Sequence, residues 1–229
     1  ILAIIPSIGS AKSTKKKKKK GYKLNLQLSK TEILERRLLT HEDPKSPISE
    51  AYRSLRTSLM YDKVDKESKI IMVSIPGPGE GKTTTVANLA ITYANMGKKT
   101  LLIDSDLRKP VLHKMFKNDK NTGFTNFLSG QESDVKKLIY SSGVENLSIL
   151  SSGAVPPNPS ELLASSYMNK FLEAIKKEFD IILIDTPPLI AVTDAFVILK
   201  HVNKFLLVVR ASVTQKGALE RSLVNMDNM

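Results

Sequence analysis

Five short runs of this chain are apolar at nearly every position: residues 70–75, 100–104, 147–150, 181–185 and 205–209. A strand with one face in water alternates apolar and polar residues, so strands apolar on both faces must be covered on both sides. The intervals between the runs read as helical, and residues 82–96, stopped by Gly97, are the clearest case. Strands separated by helices make a parallel sheet. The predicted fold class is therefore α/β, a doubly wound, mainly parallel sheet flanked by helices. Such sheets bind ligands at the carboxyl ends of their strands. Three of the five runs end in a Gly-rich turn or an acid there.

The first run leads into Pro76-Gly77-Pro78-Gly79-Glu80-Gly81-Lys82-Thr83-Thr84. A phosphate-binding loop has glycine, four residues, then Gly-Lys-Ser/Thr. Gly81-Lys82-Thr83 matches its end, with Pro76 in the place of the first glycine. Gly77 and Gly79 still let backbone amides curl around phosphate oxygens, and the helix opening at Lys82 adds its positive end. A plain strand–helix turn is the alternative, and Gly-Lys-Thr-Thr-Thr between a buried strand and a helix argues against it. Gly77, Gly79, Glu80, Gly81, Lys82, Thr83 and Thr84 are thus expected to hold ATP or ADP. Lys82 would reach the β- and γ-phosphates and Thr83 would bind Mg²⁺.

Asp185, followed by Thr186-Pro187-Pro188, ends its strand where an acid usually holds the magnesium shell. Asp104 and Asp106, in Leu-Leu-Ile-Asp-Ser-Asp-Leu-Arg, would face the same side if their strand persisted. Helix capping is the ordinary explanation for such a pair. Beside a phosphate loop, a metal or base role fits better. Lys82, Asp104, Asp106 and Asp185 are the expected catalytic groups, and Thr83, Asp106 and Asp185 the expected metal ligands. Which of Asp104 and Asp106 takes a proton is open.

Residues 1–30 differ from the rest. Of the formal charge of +12, eight lysines within residues 1–23 carry +8 with no acid among them, leaving +4 elsewhere. A like-charge run reads as a solvated linker. Its functional alternative is an anionic membrane surface against Lys15 to Lys20. Nucleic acid is not expected as a partner, because no aromatics interleave the lysines. We divide the chain into residues 1–30, with a short strand over 1–5, and a domain over 31–229. A helix is predicted near 31–39 and another over 48–61, with a stripe at Ile48, Tyr52, Leu55 and Leu59. The chain has no Cys, which excludes disulfides and thiolate metal sites. No apolar run approaches the roughly 20 residues of a membrane helix. His41, His113 and His201 lack metal-ligand spacing.

Asp104-x-Asp106-x-Arg108 resembles the extra Walker-type motif of bacterial tyrosine kinases, the autokinases of capsule and exopolysaccharide synthesis. Further segments are similar to that family: Ser49-Glu50-Ala51-Tyr52-Arg53-Ser54-Leu55-Arg56, then Gly153-Ala154-Val155-Pro156-Pro157-Asn158-Pro159-Ser160-Glu161-Leu162-Leu163, and Thr193-Asp194-Ala195. The resemblance covers about residues 45–215. It implies a P-loop kinase domain at the cytoplasmic face of the bacterial cell membrane. A transmembrane activator of polysaccharide polymerisation and protein tyrosine substrates would be its partners. Residues 1–6 resemble the segment just inside the membrane of such an activator, so a fused or fragmentary chain is expected. Glu50, Arg53 and Arg56 match an oligomerisation motif that builds a ring of copies; a solvated helix face is the plainer reading of the same charges. The family's terminal tyrosine cluster has no counterpart here, because Tyr22, Tyr52, Tyr61, Tyr93, Tyr140 and Tyr167 are scattered.

Two other readings compete. Partition and division-site ATPases of the same P-loop group carry a signature lysine early in the loop, where this chain has Gly77. A nucleotide-gated assembly module would use the same ring without depending on catalysis.

Overall fold

The computed structural model describes residues 2–6, 38–61, 69–190 and 193–227. Among them, six strands form one sheet: β1 (Ile70–Ser74), β2 (Thr100–Asp104), β3 (Tyr140–Ser141), β4 (Leu147–Leu150), β5 (Ile181–Asp185) and β6 (Lys204–Leu207). Their order is β3-β4-β2-β5-β1-β6. Every pairing is parallel except that of β3 with β4. The helices are α1 (Leu39–Glu42), α2 (Pro47–Met60), α3 (Lys82–Ala94), α4 (Leu112–Met115), α5 (Phe124–Leu128), α6 (Pro159–Leu163), α7 (Ser166–Glu178), α8 (Asp194–Leu199) and α9 (Lys216–Asp227).

The doubly apolar strands are covered on both faces, as a parallel sheet requires. Ile71 and Val73 of β1, Leu102 of β2 and Leu183 of β5 enter the layer that holds α2, α3 and α4. Their neighbours Ile70, Met72, Leu101, Ile103, Ile182 and Ile184 enter the opposite layer with α5, α6, α7 and α8. This is the two-residue period of a strand, with water on neither side. Helix α3 buries eleven of its thirteen residues, so it keeps no solvent face and lies between the sheet and α2. Helix α2 starts where Ser46 Oγ accepts from the Ser49 amide and Pro47 sits in the first turn. Its buried stripe is Ser49, Tyr52, Leu55 and Leu59, with Ile48 half-buried. On α7 the apolar face is Met168, Phe171, Leu172 and Ile175. Phe171 meets the rings of Phe124 at 4.6 Å and Phe127 at 5.6 Å.

Several sequence expectations shift. Residues 2–6 form no strand; Ala3 and Ile5 pack against the α3 layer while Leu2 and Ile4 are exposed. The last strand spans 204–207, although the Val208 amide still donates to Ser74 O at 2.9 Å. The helix expected near 31–39 meets the described residues only at its end, where α1 begins. The linker and the lysines Lys15 to Lys20 lie outside them. No helix among the described residues is long and apolar enough to cross a membrane.

The topology fixes where chemistry can occur. Strands β2, β5 and β1 are adjacent, and the β2–β5 register sets Asp104 directly beside Asp185. The loop after β1 is the Gly-rich one.

Candidate active site

The loop from β1 to α3 turns on Gly79 and Gly81, whose φ values of 83° and 96° lie in the left-handed region. A side chain there would be strained, which explains both glycines. Gly81 caps α3, and the first-turn amides of a helix have no carbonyl partner within it. The loop and helix end therefore present free donors and a positive dipole to an anion.

Lys82 and Thr83, the first residues of α3, reach back over the strand ends. Lys82 Nζ lies 2.7 Å from Asp185 Oδ1 and 3.6 Å from Asp106 Oδ2. The Thr83 hydroxyl donates to Asp185 Oδ2 at 2.7 Å. Lys82 and Asp185 thus form a close, buried ion pair. Asp104 is occupied differently: Oδ1 accepts from the Asp106 amide at 3.3 Å, and Oδ2 from Val111 and Leu112, each at 3.0 Å. Strand β2 ends at Asp104, so simple alternation does not carry on to Asp106. Asp106 instead accepts from the Lys109 amide through Oδ1 and turns Oδ2 towards Lys82.

Burial, and then the neighbouring Asp185 carboxylate, push Asp104 up to about 7 against the pull of Lys82. Asp185 is raised as well, chiefly by burial, with Lys82 and Thr83 opposing. Asp106 and Asp185 thus flank one ammonium, with Asp104 beside Asp185, in a region shielded from water. That excess of negative charge, beside the Thr83 hydroxyl, fits a divalent cation. Among the described residues no three acidic or imidazole groups form a ready-made metal cage. Mg²⁺ needs none, because it is normally held by one or two carboxylates with phosphate oxygens and water.

The rim of the site holds contacts that sequence reading missed. Glu80 Oε1 accepts from the Gly77 amide at 3.2 Å, and Oε2 from the Thr214 hydroxyl at 2.6 Å, tying the phosphate loop to the turn after β6. Arg108 makes a two-point pair with buried Asp194. Thr84 is half-exposed on the first turn of α3. Glu50, Arg53 and Arg56 lie elsewhere, on α2. Arg53 pairs with Glu50 at 2.8 Å and with Pro44 O at 2.7 Å. Arg56 donates to Thr92 O at 2.7 Å, ten residues or about 15 Å along α3 from Lys82. Its Nε is buried with no hydrogen-bond partner.

The family described as AAA domain matches residues 68–224. Tyrosine-protein kinase YwqD of Bacillus subtilis (strain 168) is 39% identical over 183 residues, 80% of this chain and 77% of that protein. Putative tyrosine-protein kinase CapB of Staphylococcus aureus is 38% identical over 190 residues, 81% of each chain. Among solved structures, the chimerical protein CapA2B2 superposes with a TM-score of 0.80 at 35% identity, covering 84% of both chains. The kinase domain of Escherichia coli tyrosine kinase ETK gives 0.79 at 34%, covering 83% of this chain and 74% of that one. MinD of Pyrococcus horikoshii, complexed with Mg-ADP, gives only 0.57 at 26%, covering 70% and 65%. With Lys82 and Thr83 meeting Asp185 beneath the phosphate loop, and Asp106 turned towards the same lysine, the chain belongs to the bacterial tyrosine kinase family.

Proposed function

We propose that this chain is the catalytic domain of an ATP-dependent protein-tyrosine autokinase acting in capsule or exopolysaccharide synthesis and export. The observation that carries the reading is the convergence of Lys82, Asp106 and Asp185 at the ends of three elements around one phosphate loop. The division-site ATPase alternative is disfavoured by Gly77 in place of a lysine and by the lower structural likeness to MinD.

The residues divide the work. Loop amides and Lys82 bind the β- and γ-phosphates, with Lys82 exchanging Asp185 for phosphate oxygen. Thr83 and Asp185, with Asp106 beyond them, would hold Mg²⁺, which when bound neutralises charge on the phosphoryl oxygens. All of Asp104's accepted bonds come from backbone amides, so it shapes the turn that carries Asp106. Asp106 Oδ2 faces the site, which favours it for taking the proton of the attacking tyrosine hydroxyl. Incubation of the purified chain with Mg-ATP and a Glu/Tyr copolymer tests the reading. Phosphotyrosine on the copolymer or the chain, found by mass spectrometry, is expected; ATP hydrolysis with no phosphotyrosine would return the chain to the ATPase class.

A transmembrane activator and a ring of copies complete the proposal, with the chain at the cytoplasmic face of the membrane. For the ring, Glu50, Arg53 and Arg56 are the proposed contacts. Glu50 and Arg53 keep 66% and 37% of their side-chain surface exposed, which leaves that charged face open to a neighbouring copy. Truncating one partner of a buried interfacial charge pair costs about 2–5 kcal/mol. Replacing all three by alanine is therefore expected to turn an oligomer into a monomer in light scattering, with nucleotide affinity unchanged. A wild-type protein that is already monomeric would leave these charges as surface.

A further inference from the structure

One polar cluster, buried at Asp194 and open to solvent at Arg108, joins the loops that follow β4, β2 and β5, three neighbours in the sheet. Arg108, in the loop after β2, places Nε 2.8 Å from Asp194 Oδ2 and Nη2 3.1 Å from Oδ1. Ser160, at the start of α6 beyond β4, donates its hydroxyl to Asp194 Oδ1 and lies 3.3 Å from the Thr193 hydroxyl. Asp194 opens α8, beyond β5, and is fully buried. Burial works to raise its pKa, but the hydrogen bonds from Arg108 and Ser160 outweigh it and hold the carboxyl below its ordinary value.

An ion pair whose arginine is 42% exposed contributes little to stability, because water screens the attraction. Its distinctive property is geometric: a guanidinium held at two nitrogens has a fixed direction as well as a fixed distance. Arg108 stands two residues from Asp106, whose Oδ2 is 3.6 Å from Lys82 Nζ. A shift of about 1 Å in a reacting group can cost about a hundredfold in rate. We infer that Asp194, seated by Ser160, is a positioning residue that fixes Arg108 and, through it, holds Asp106 against the phosphate loop. Its effect falls on phosphoryl transfer and on the metal-dependent part of nucleotide binding, not on the phosphate cradle. The transfer half of this inference rests on the kinase reading; the binding half does not.

Asp194→Asn keeps the shape and removes the charge, and Arg108→Lys keeps the charge and removes the fork. Each is expected to lower kcat for copolymer phosphorylation about tenfold or more, with the KM for ATP changed less than about threefold. A fluorescent ADP analogue titrated with Mg²⁺ and then with EDTA gives the second readout. Asp194→Asn should shrink the gain in affinity that Mg²⁺ confers and leave affinity in EDTA at the wild-type level. In an Asp106→Asn background, Asp194→Asn should produce no further loss of that gain, because both act at one carboxylate. Wild-type kcat and an unchanged Mg²⁺ gain in Asp194→Asn would overturn the inference. So would an equal loss of affinity in EDTA together with a lowered melting temperature, which marks a mere scaffold contact. If wild type forms no phosphotyrosine on the copolymer or on itself, yet Asp194→Asn loses the Mg²⁺ gain, the kinase reading is refuted and the positioning role upheld.

Discussion

Lys82→Met is expected to weaken MgADP binding by about 10–150-fold, because hydrogen bonds to charged groups contribute about 1.5–3 kcal/mol each. Calorimetry reads this directly. From sequence the side chain faces ligand, and the same substitution looks harmless to the fold. The structure changes that expectation: Lys82 is buried and, among the described residues, is the only cation paired with Asp185. Removing one partner of a buried pair costs about 3–5 kcal/mol, since the other charge stays behind. Proton uptake by the crowded carboxylates offsets part of that loss, so Lys82→Met should be less stable in urea and recover as pH falls. Adding Asp185→Asn removes the stranded charge. The double variant should regain stability without regaining affinity, which separates the structural part of the lysine from its phosphate-binding part. Thermal shifts carry the same information, because a ligand stabilises only the state that binds it. Wild-type MgADP affinity in the double variant would sink the phosphate-loop assignment.

What the sequence made legible, and what it did not, follows from range. The runs at 70–75 and 181–185 announce buried strands because each residue's environment is the sheet itself. The loop at Gly77 to Thr83 is legible because its chemistry is contiguous: glycines for the turn, then lysine and threonine on one helix end. Asp185 and Asp104 were legible as acids ending strands, but their mutual contact needed the β2–β5 register. The ties that stiffen the rim were illegible. Arg108 meets Asp194 across 86 residues, and Thr214 meets Glu80 across 134. No periodicity or local spacing encodes such pairs. The stretch from Leu112 to Ser141 reads only as broadly helical in sequence, because its elements, among them α4, α5 and the two-residue β3, are shorter than the window in which periodicity can be seen. The fate of Asp104 is the most instructive case. Helix capping is the ordinary explanation for such an acid in sequence, and the Asp104 carboxylate accepts three backbone amides.

That difference predicts unlike outcomes for two substitutions that look equivalent in sequence. Asp106→Asn is expected to lower tyrosine phosphorylation about 10²–10⁴-fold, the usual contribution of a positioned acid–base group. Its side-chain oxygen can still accept from the Lys109 amide, so the loop should keep its shape and MgADP should bind with less loss than in Lys82→Met. Asp104→Asn removes an acceptor that three amides converge on. The new NH₂ group must face at least one of those donors, leaving buried groups unpaired at a cost of about 1–3 kcal/mol. The loss is opposed by relief of burying a charge, and here pH decides which term is larger. Folding raises the Asp104 pKa from 3.8 to about 7, so the folded state holds a proton that the unfolded chain has released. That stabilisation is fully present below about pH 4 and is lost as pH rises through about 7. Urea melts of the nucleotide-free protein in EDTA should therefore show wild type losing stability between about pH 4 and 7, the span between the two pKa values, and Asp104→Asn losing less. At pH 5 the variant should be the weaker of the two, since wild type there has both its hydrogen bonds and its proton. At pH 8 the gap should narrow or close. Parallel curves for the two proteins would mean that Asp104 does not carry the raised pKa. Equal transfer rates in Asp106→Asn and wild type would leave Asp106 as a turn residue, and the proton would need another acceptor.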